Sequence, residues 1–137
     1  MAGRVAGKIK LSRLGFAVTL CVPEMRKVNI GLVGCGTVGS GVVKGLARNG
    51  ALMGSRLGVR FSLGGVAVRN PRKARAARLS RGLVTSDWES LVRDPKIDVV
   101  MELMGGTTTA RKVVAEALKL GKPVITANKA LISAHGE

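Results

Sequence analysis

Aromatic side chains are nearly absent from this 137-residue sequence. It has no Tyr, and Phe16, Phe61 and Trp88 are its only rings. With 46% hydrophobic residues, the core must be aliphatic. So few rings also argue against a nucleic-acid platform, which stacks bases on aromatic faces. Cys21 and Cys35 are the only cysteines and His135 is the only histidine. That count offers no metal-ligand spacing and no disulfide framework, and a reducing, cytoplasmic setting is the default. Acid is scarce where base is dense. From Met25 to Ser86 there is no Asp or Glu, against twelve Lys and Arg, and the net charge is +15. A basic half of this kind fits an anionic partner: phosphate, nucleotide or nucleic acid. No apolar run is long enough to cross a bilayer, so no membrane partner is expected.

The first 24 residues stand apart. Arg4, Lys8, Lys10 and Arg13 precede an apolar run from Leu14 to Val22. Basic residues followed by apolar ones imitate a targeting segment, but no small-x-small cleavage site follows. Residues 1–24 are read as a basic and apolar extension outside the fold, with a targeting segment as the alternative. The domain proper is expected over residues 25–137.

From Met25 onward the pattern alternates. Val28 to Val33 is a short β-rich apolar run, as in a buried parallel strand. Val38, Val42, Val43 and Leu46 then recur at helical spacing, with Asn49-Gly50 as the expected stop. Val59 to Val68 predicts a second strand, weakened by Gly64-Gly65. Pro71 breaks it, and a basic loop or short helix follows. Ser86 and Glu89 have capping-box spacing and predict a short helix. Ile97 to Leu103 predicts a strand, and "TTTARKVVAEALKLGKP" predicts a helix ended by Gly121 and Pro123. Val124 to Ala127 predicts a last strand. Such alternation implies an α/β, Rossmann-like fold: a mostly parallel sheet with helices on both faces.

Between the first strand and helix, Gly34-Cys35-Gly36-Thr37-Val38-Gly39 fits G-x-G-x-x-G. Gly34 permits a sharp turn after the strand. Gly36 lets a pyrophosphate approach the backbone, and Gly39 lets the helix pack close to the strand. The free N–H groups around Thr37 and Val38, with the helix dipole, favour phosphate. Strand, loop, helix and second strand together supply the context a dinucleotide site requires. Cys35 reads as a small filler of the loop.

The end of the second strand bears on which dinucleotide. An NAD site usually places Asp or Glu there for the ribose 2′-hydroxyl. This chain instead has Arg69, followed by Arg72, Lys73 and Arg75. A guanidinium clamps a 2′-phosphate with two parallel bonds. NADP(H) is therefore the expected cofactor, with NAD possible. Arg69 is the first candidate to hold it and Lys73 or Arg75 the second, while Arg72 and Arg78 read as solvated.

Four stretches, "VNIGLVGCGTVGSGVV", "VAVRNPRKAR", "IDVVMELMGG" and "GKPVITANKALISAHG", together resemble the nucleotide-binding domain of homoserine dehydrogenase. "ELMGG" followed by "TANKALISAHG" is the specific part. The resemblance covers residues 28 to 137. It implies NAD(P)-dependent interconversion of L-homoserine and L-aspartate 4-semialdehyde, on the route to threonine and methionine. It places Thr37 and Val38 at the pyrophosphate and Arg69 at the adenosine ribose or its phosphate. It also places Met104 and Gly105 beside the nicotinamide ribose, and Lys129 near nicotinamide and substrate, as the one candidate catalytic residue. Ligands of open α/β sheets sit at the carboxyl ends of strands, and both "MGG" and "ANK" follow such ends. Glu102 reads as structural, bonding nearby backbone, and His135 as a turn residue.

The resemblance also implies a substrate and dimerisation region, with the main catalytic residues, which these 137 residues do not contain. The expected behaviour is cofactor binding without turnover, from a fold incomplete at its C-terminal side whose last strand has an unpaired edge. The alternatives are a stand-alone nucleotide-binding or sensor module and, remotely, a basic nucleic-acid-binding protein. The latter lacks any helix-turn-helix or zinc signature.

Overall fold

The computed structural model describes residues 25–71 and 79–136. Five strands form one sheet: β1 (Arg26–Val33), β2 (Val59–Ala67), β3 (Val84–Thr85), β4 (Val99–Glu102) and β5 (Val124–Thr126). Their order across the sheet is β3-β2-β1-β4-β5 and every pairing is parallel. Among the described residues four α-helices accompany them, α1 (Thr37–Leu57), α2 (Trp88–Arg93), α3 (Thr108–Lys119) and α4 (Lys129–His135), with a short 3-10 turn at Arg81–Leu83. The chain moves outward from β1 through β2 to β3, then returns to β4 on the other side of β1. With right-handed crossovers, that reversal puts α1 and α3 on opposite faces of the sheet.

Register separates the two faces. Gly31 pairs with Val100, and Val100 with Val124. This row and Val33 lie on the side of α2 and α3, packed with Val92, Ile97, Val113 and Ala117. Gly31 is required there, because a Cβ would sit 2.9 Å from the Ile97 side chain. On the other face, Val66, Leu32, Met101 and Ile125 form a row across β2, β1, β4 and β5. The register of β1 against β2 shifts between Ile30 and Gly31, so that Gly64 is the extra residue of a bulge, which accommodates the weak point expected at Gly64-Gly65.

The strand expected from Ile97 to Leu103 narrows to Val99–Glu102, and two helix boundaries move. Helix α1 does not stop at Asn49-Gly50; it runs to Leu57 and ends on Gly58. Gly58 is left-handed (φ +68°), with its N–H donated to Gly54 O. The cap of α2 is Asp87 rather than Ser86: its carboxylate accepts from Ser90 N at 3.0 Å. Two elements were not foreseen, the two-residue β3 and the helix α4. The extension expected over residues 1–24 and the basic stretch 72–78 lie outside the described residues. No helix among the described residues is long and apolar enough to cross a membrane.

Candidate functional site

The carboxyl ends of β1, β2 and β4 open into one cleft of about 730 Å³. Its centre is the turn after β1, lined by Gly34, Cys35 and Gly36. Gly34 has φ +96°, and a Cβ there would lie 2.7 Å from the backbone of Leu103 and Met104. The turn is pinned by Gly34 N donating to Ala67 O at 2.9 Å. Gly39 is buried, and its Cβ would overlap the carbonyl of Gly34, so α1 rests directly on the turn. Gly36 differs: a Cβ there would meet nothing within 4 Å. The space in front of it is open, which suits the approach of a phosphate. Gly36 caps α1 without a side-chain bond, and the first turn carries no acid. Its leading N–H groups therefore keep their capacity for an anion. Cys35 half-fills the loop beside Ser40, with Sγ and Oγ 3.8 Å apart.

The second wall follows β4. Leu103 N donates to Val33 O at 2.8 Å, and the chain then turns through Met104, Gly105 and Gly106 into α3. Gly106 has φ +82°. Thr107 caps α3 with no side-chain bond, and this helix too has no acid in its first turn. Two uncapped helix N-termini thus meet the same cleft.

Glu102 holds this wall. It is fully buried (0% exposed). Its Oε1 accepts from Met104 N at 2.9 Å and its Oε2 from Thr126 Oγ1 at 2.5 Å. Thr126 Oγ1 in turn accepts from Asn128 N at 3.0 Å. Asn128 Nδ2 donates to Gly106 O at 2.6 Å, while its Oδ1 caps α4 by accepting from Leu131 N at 3.1 Å. One connected set of bonds therefore ties β4, β5, α4 and the glycine turn together. The expectation that Glu102 bonds nearby backbone holds, and it reaches β5 as well.

The third wall lies at the ends of β2 and β3. Val68 N donates to Thr85 O at 2.9 Å, which brings Arg69 and Asn70 opposite Ser86 and Trp88. Arg69 is exposed and lines the cleft. Both ion pairs among the described residues belong to Arg93, with Glu89 and Glu116. The bond from Glu116 raises the already high pKa of Arg93, which leaves that guanidinium charged at any working pH.

Of the residues singled out from sequence, Gly34, Gly36, Arg69, Met104 and Gly105 line the cleft together. Thr37 and Val38 lie exposed at the start of α1, and Gly39 lies buried beneath the turn. Lys129 is exposed at the start of α4 and does not line the cleft, although its neighbour Asn128 bonds the cleft wall. Lys73 lies outside the described residues. Sequence reasoning missed Thr107, Thr108 and Thr109 as lining, along with Ser86, Trp88 and the bridging Asn128. The three threonines at the start of α3, its cap Thr107 and first residues Thr108 and Thr109, were a usable signal, since a helix start after a strand can receive an anion.

An open parallel sheet with a glycine turn at its strand-order reversal defines a dinucleotide-binding α/β domain. Comparison with known proteins narrows the class. A family model described as "Homoserine dehydrogenase, NAD binding domain" matches residues 34–137, and the chain belongs to that family. A homoserine dehydrogenase of Methylobacillus glycogenes is 45% identical over 109 residues, covering 80% of this chain and 26% of the relative. One of Pseudomonas aeruginosa is 40% identical, with 82% and 25% covered. The crystal structure of a homoserine dehydrogenase from Thiobacillus denitrificans aligns with a TM-score of 0.76 at 42% identity, over 82% of this chain and 26% of that one. A Staphylococcus aureus homoserine dehydrogenase aligns with a TM-score of 0.75 at 38% identity, over 82% and 28%. The chain thus spans about a quarter of the length of the relatives it matches.

Proposed function

We propose that the chain binds NADP(H) in preference to NAD(H), and that it supplies the cofactor-binding part of a homoserine dehydrogenase. The observation that carries this reading is the cleft itself: open space before Gly36, with two uncapped, acid-free helix starts facing it. The backbone N–H groups of Thr37 and Val38 would hold the pyrophosphate, with Gly34 and Gly39 shaping the turn. Arg69 would take the 2′-phosphate, helped by Lys73. Asp87, the acid nearest this wall in sequence, is engaged in capping α2. Met104 and Gly105 would lie along the nicotinamide ribose, and Lys129 close to the reacting end.

The bound nicotinamide supplies hydride transfer between L-homoserine and L-aspartate 4-semialdehyde, the reaction implied by the family. This chain's residues bind and orient the cofactor for that step. Hydride transfer also needs the semialdehyde held against the nicotinamide. These 137 residues span about a quarter of the relatives, so binding without turnover is the expected behaviour.

Calorimetric titration of the 137-residue chain with NADPH and NADH tests both parts. NADPH should bind more tightly by about tenfold or more, the worth of one charge-assisted pair of bonds. Arg69→Ala should remove that margin. Tighter NADH binding, unchanged in Arg69→Ala, would sink the NADP(H) assignment. Reduction of NADP by L-homoserine on the isolated chain would overturn the restriction to cofactor binding.

A further inference from the structure

The two outer walls of the cleft are chemically unlike, and the difference is concentrated in one side chain. The wall after β4 is uncharged and without a ring: Leu103, Met104, Gly105, Gly106 and the threonines that begin α3. The wall after β2 and β3 carries the charge of Arg69 and the one aromatic ring that lines the cleft among the described residues, Trp88. Trp88 is half-buried and packs against the aliphatic core cluster that includes Val33, Leu91 and Val92. It is the first residue of α2, and the Asp87 cap fixes that helix start, with Asp87 N also donating to Thr85 Oγ1 at 3.0 Å. The indole is thus held in place from behind and from its own backbone while it lines the cleft.

We infer that Trp88 is the platform for the adenine base of the dinucleotide. The inference rests on the nucleotide-binding reading above and goes beyond it by naming the side chain against which the base lies. A purine is flat, weakly hydrated on its faces and well matched to an indole, and base–aromatic stacking contributes about 1–3 kcal/mol per base. Arg69 stands on the same wall. A dinucleotide with adenine at Trp88 brings its 2′-phosphate to that side, so one wall serves both ends of a single nucleoside. The reverse direction would leave Arg69 without a phosphate and the adenine against glycine and threonine.

Trp88 is the only tryptophan of the chain, so its fluorescence reports one site. The probes are adenosine 2′,5′-bisphosphate and nicotinamide mononucleotide, with NADPH binding followed separately by calorimetry. The bisphosphate should quench Trp88, and the mononucleotide should not. Trp88→Leu should weaken the bisphosphate by about tenfold and leave the mononucleotide within about twofold of its original affinity. Trp88→Phe, which keeps a ring in the core, should retain most of the affinity and the native melting profile. If Trp88→Leu does not fold, the wild-type quenching and the Phe variant decide. NADPH binding with Trp88 silent to the bisphosphate would overturn the platform alone, as would quenching by the mononucleotide in place of the bisphosphate. Absence of any NADPH binding would overturn the nucleotide reading and the platform with it.

Discussion

A methyl group added at Gly34 and one added at Gly36 have different consequences, although the two residues are neighbours in one turn. At Gly34 the backbone is left-handed, and a Cβ would press on Leu103 and Met104 at 2.7 Å. Gly34→Ala is expected to cost on the order of 2 kcal/mol or more of stability. At Gly36 the backbone is extended (φ −79°) and the Cβ would meet nothing. Gly36→Ala should therefore fold with less than about 1 kcal/mol lost. Its methyl would occupy the space that the pyrophosphate requires, and NADPH affinity should fall at least tenfold. Urea denaturation beside NADPH titration checks both variants. A Gly36→Ala protein that keeps its NADPH affinity would count against phosphate at this turn.

At the scale of one element, helix α1 depends on which of its glycines touches the sheet. Gly54 is buried against the start of β2, and a Cβ would overlap Val59 O. Gly50 is also buried, yet a Cβ there would meet nothing within 4 Å. Gly50→Ala should stabilise the protein by about 0.5–1 kcal/mol, because alanine removes backbone entropy from the unfolded chain and favours the helix. Gly54→Ala should destabilise it by forcing α1 away from β2. The pair is read from the midpoints of two urea curves with equal slopes. Equal effects of the two substitutions would contradict the helix–strand contact at Gly54.

At the scale of the molecule, the two faces of the sheet are unequally covered by the described residues. The face of α2 and α3 has a closed aliphatic core. On the face of α1 the row opens toward the last strand: Leu32 is 0% exposed, Met101 is half-buried and Ile125 is 51% exposed. Edge strand β5 is three residues long and pairs only with β4 among the described residues. A ligand bound at the strand ends should stabilise the folded chain by mass action. NADPH at about one hundred times its Kd adds about 2.7 kcal/mol by mass action. That corresponds to a rise in Tm of roughly 10 °C for a domain of this size. Differential scanning fluorimetry measures it; an unchanged Tm at saturating NADPH would contradict binding to the folded chain.

The sequence by itself determined whatever rests on local chemistry. The glycine turn, the strand before it, the helix after it and the basic end of β2 were legible because each needs only its own residues: Gly34 its φ, Gly39 its missing Cβ, Arg69 its charge. Tertiary structure decided what depends on distant partners. The stop at Asn49-Gly50 failed because α1 runs on to rest against β2 through Gly54, and packing outweighs a local break. Strand β3 has two residues, too few to show a period, and exists through its pairing with Val66 and Ala67. Asn128 takes its bridging place from Gly106, 22 residues earlier, whose carbonyl accepts its Nδ2–H. Trp88 was one ring among three in the sequence. It became a wall of the cleft because Val68 bonds Thr85 and sets the ends of β2 and β3 side by side, and no spacing along the chain encodes that juxtaposition.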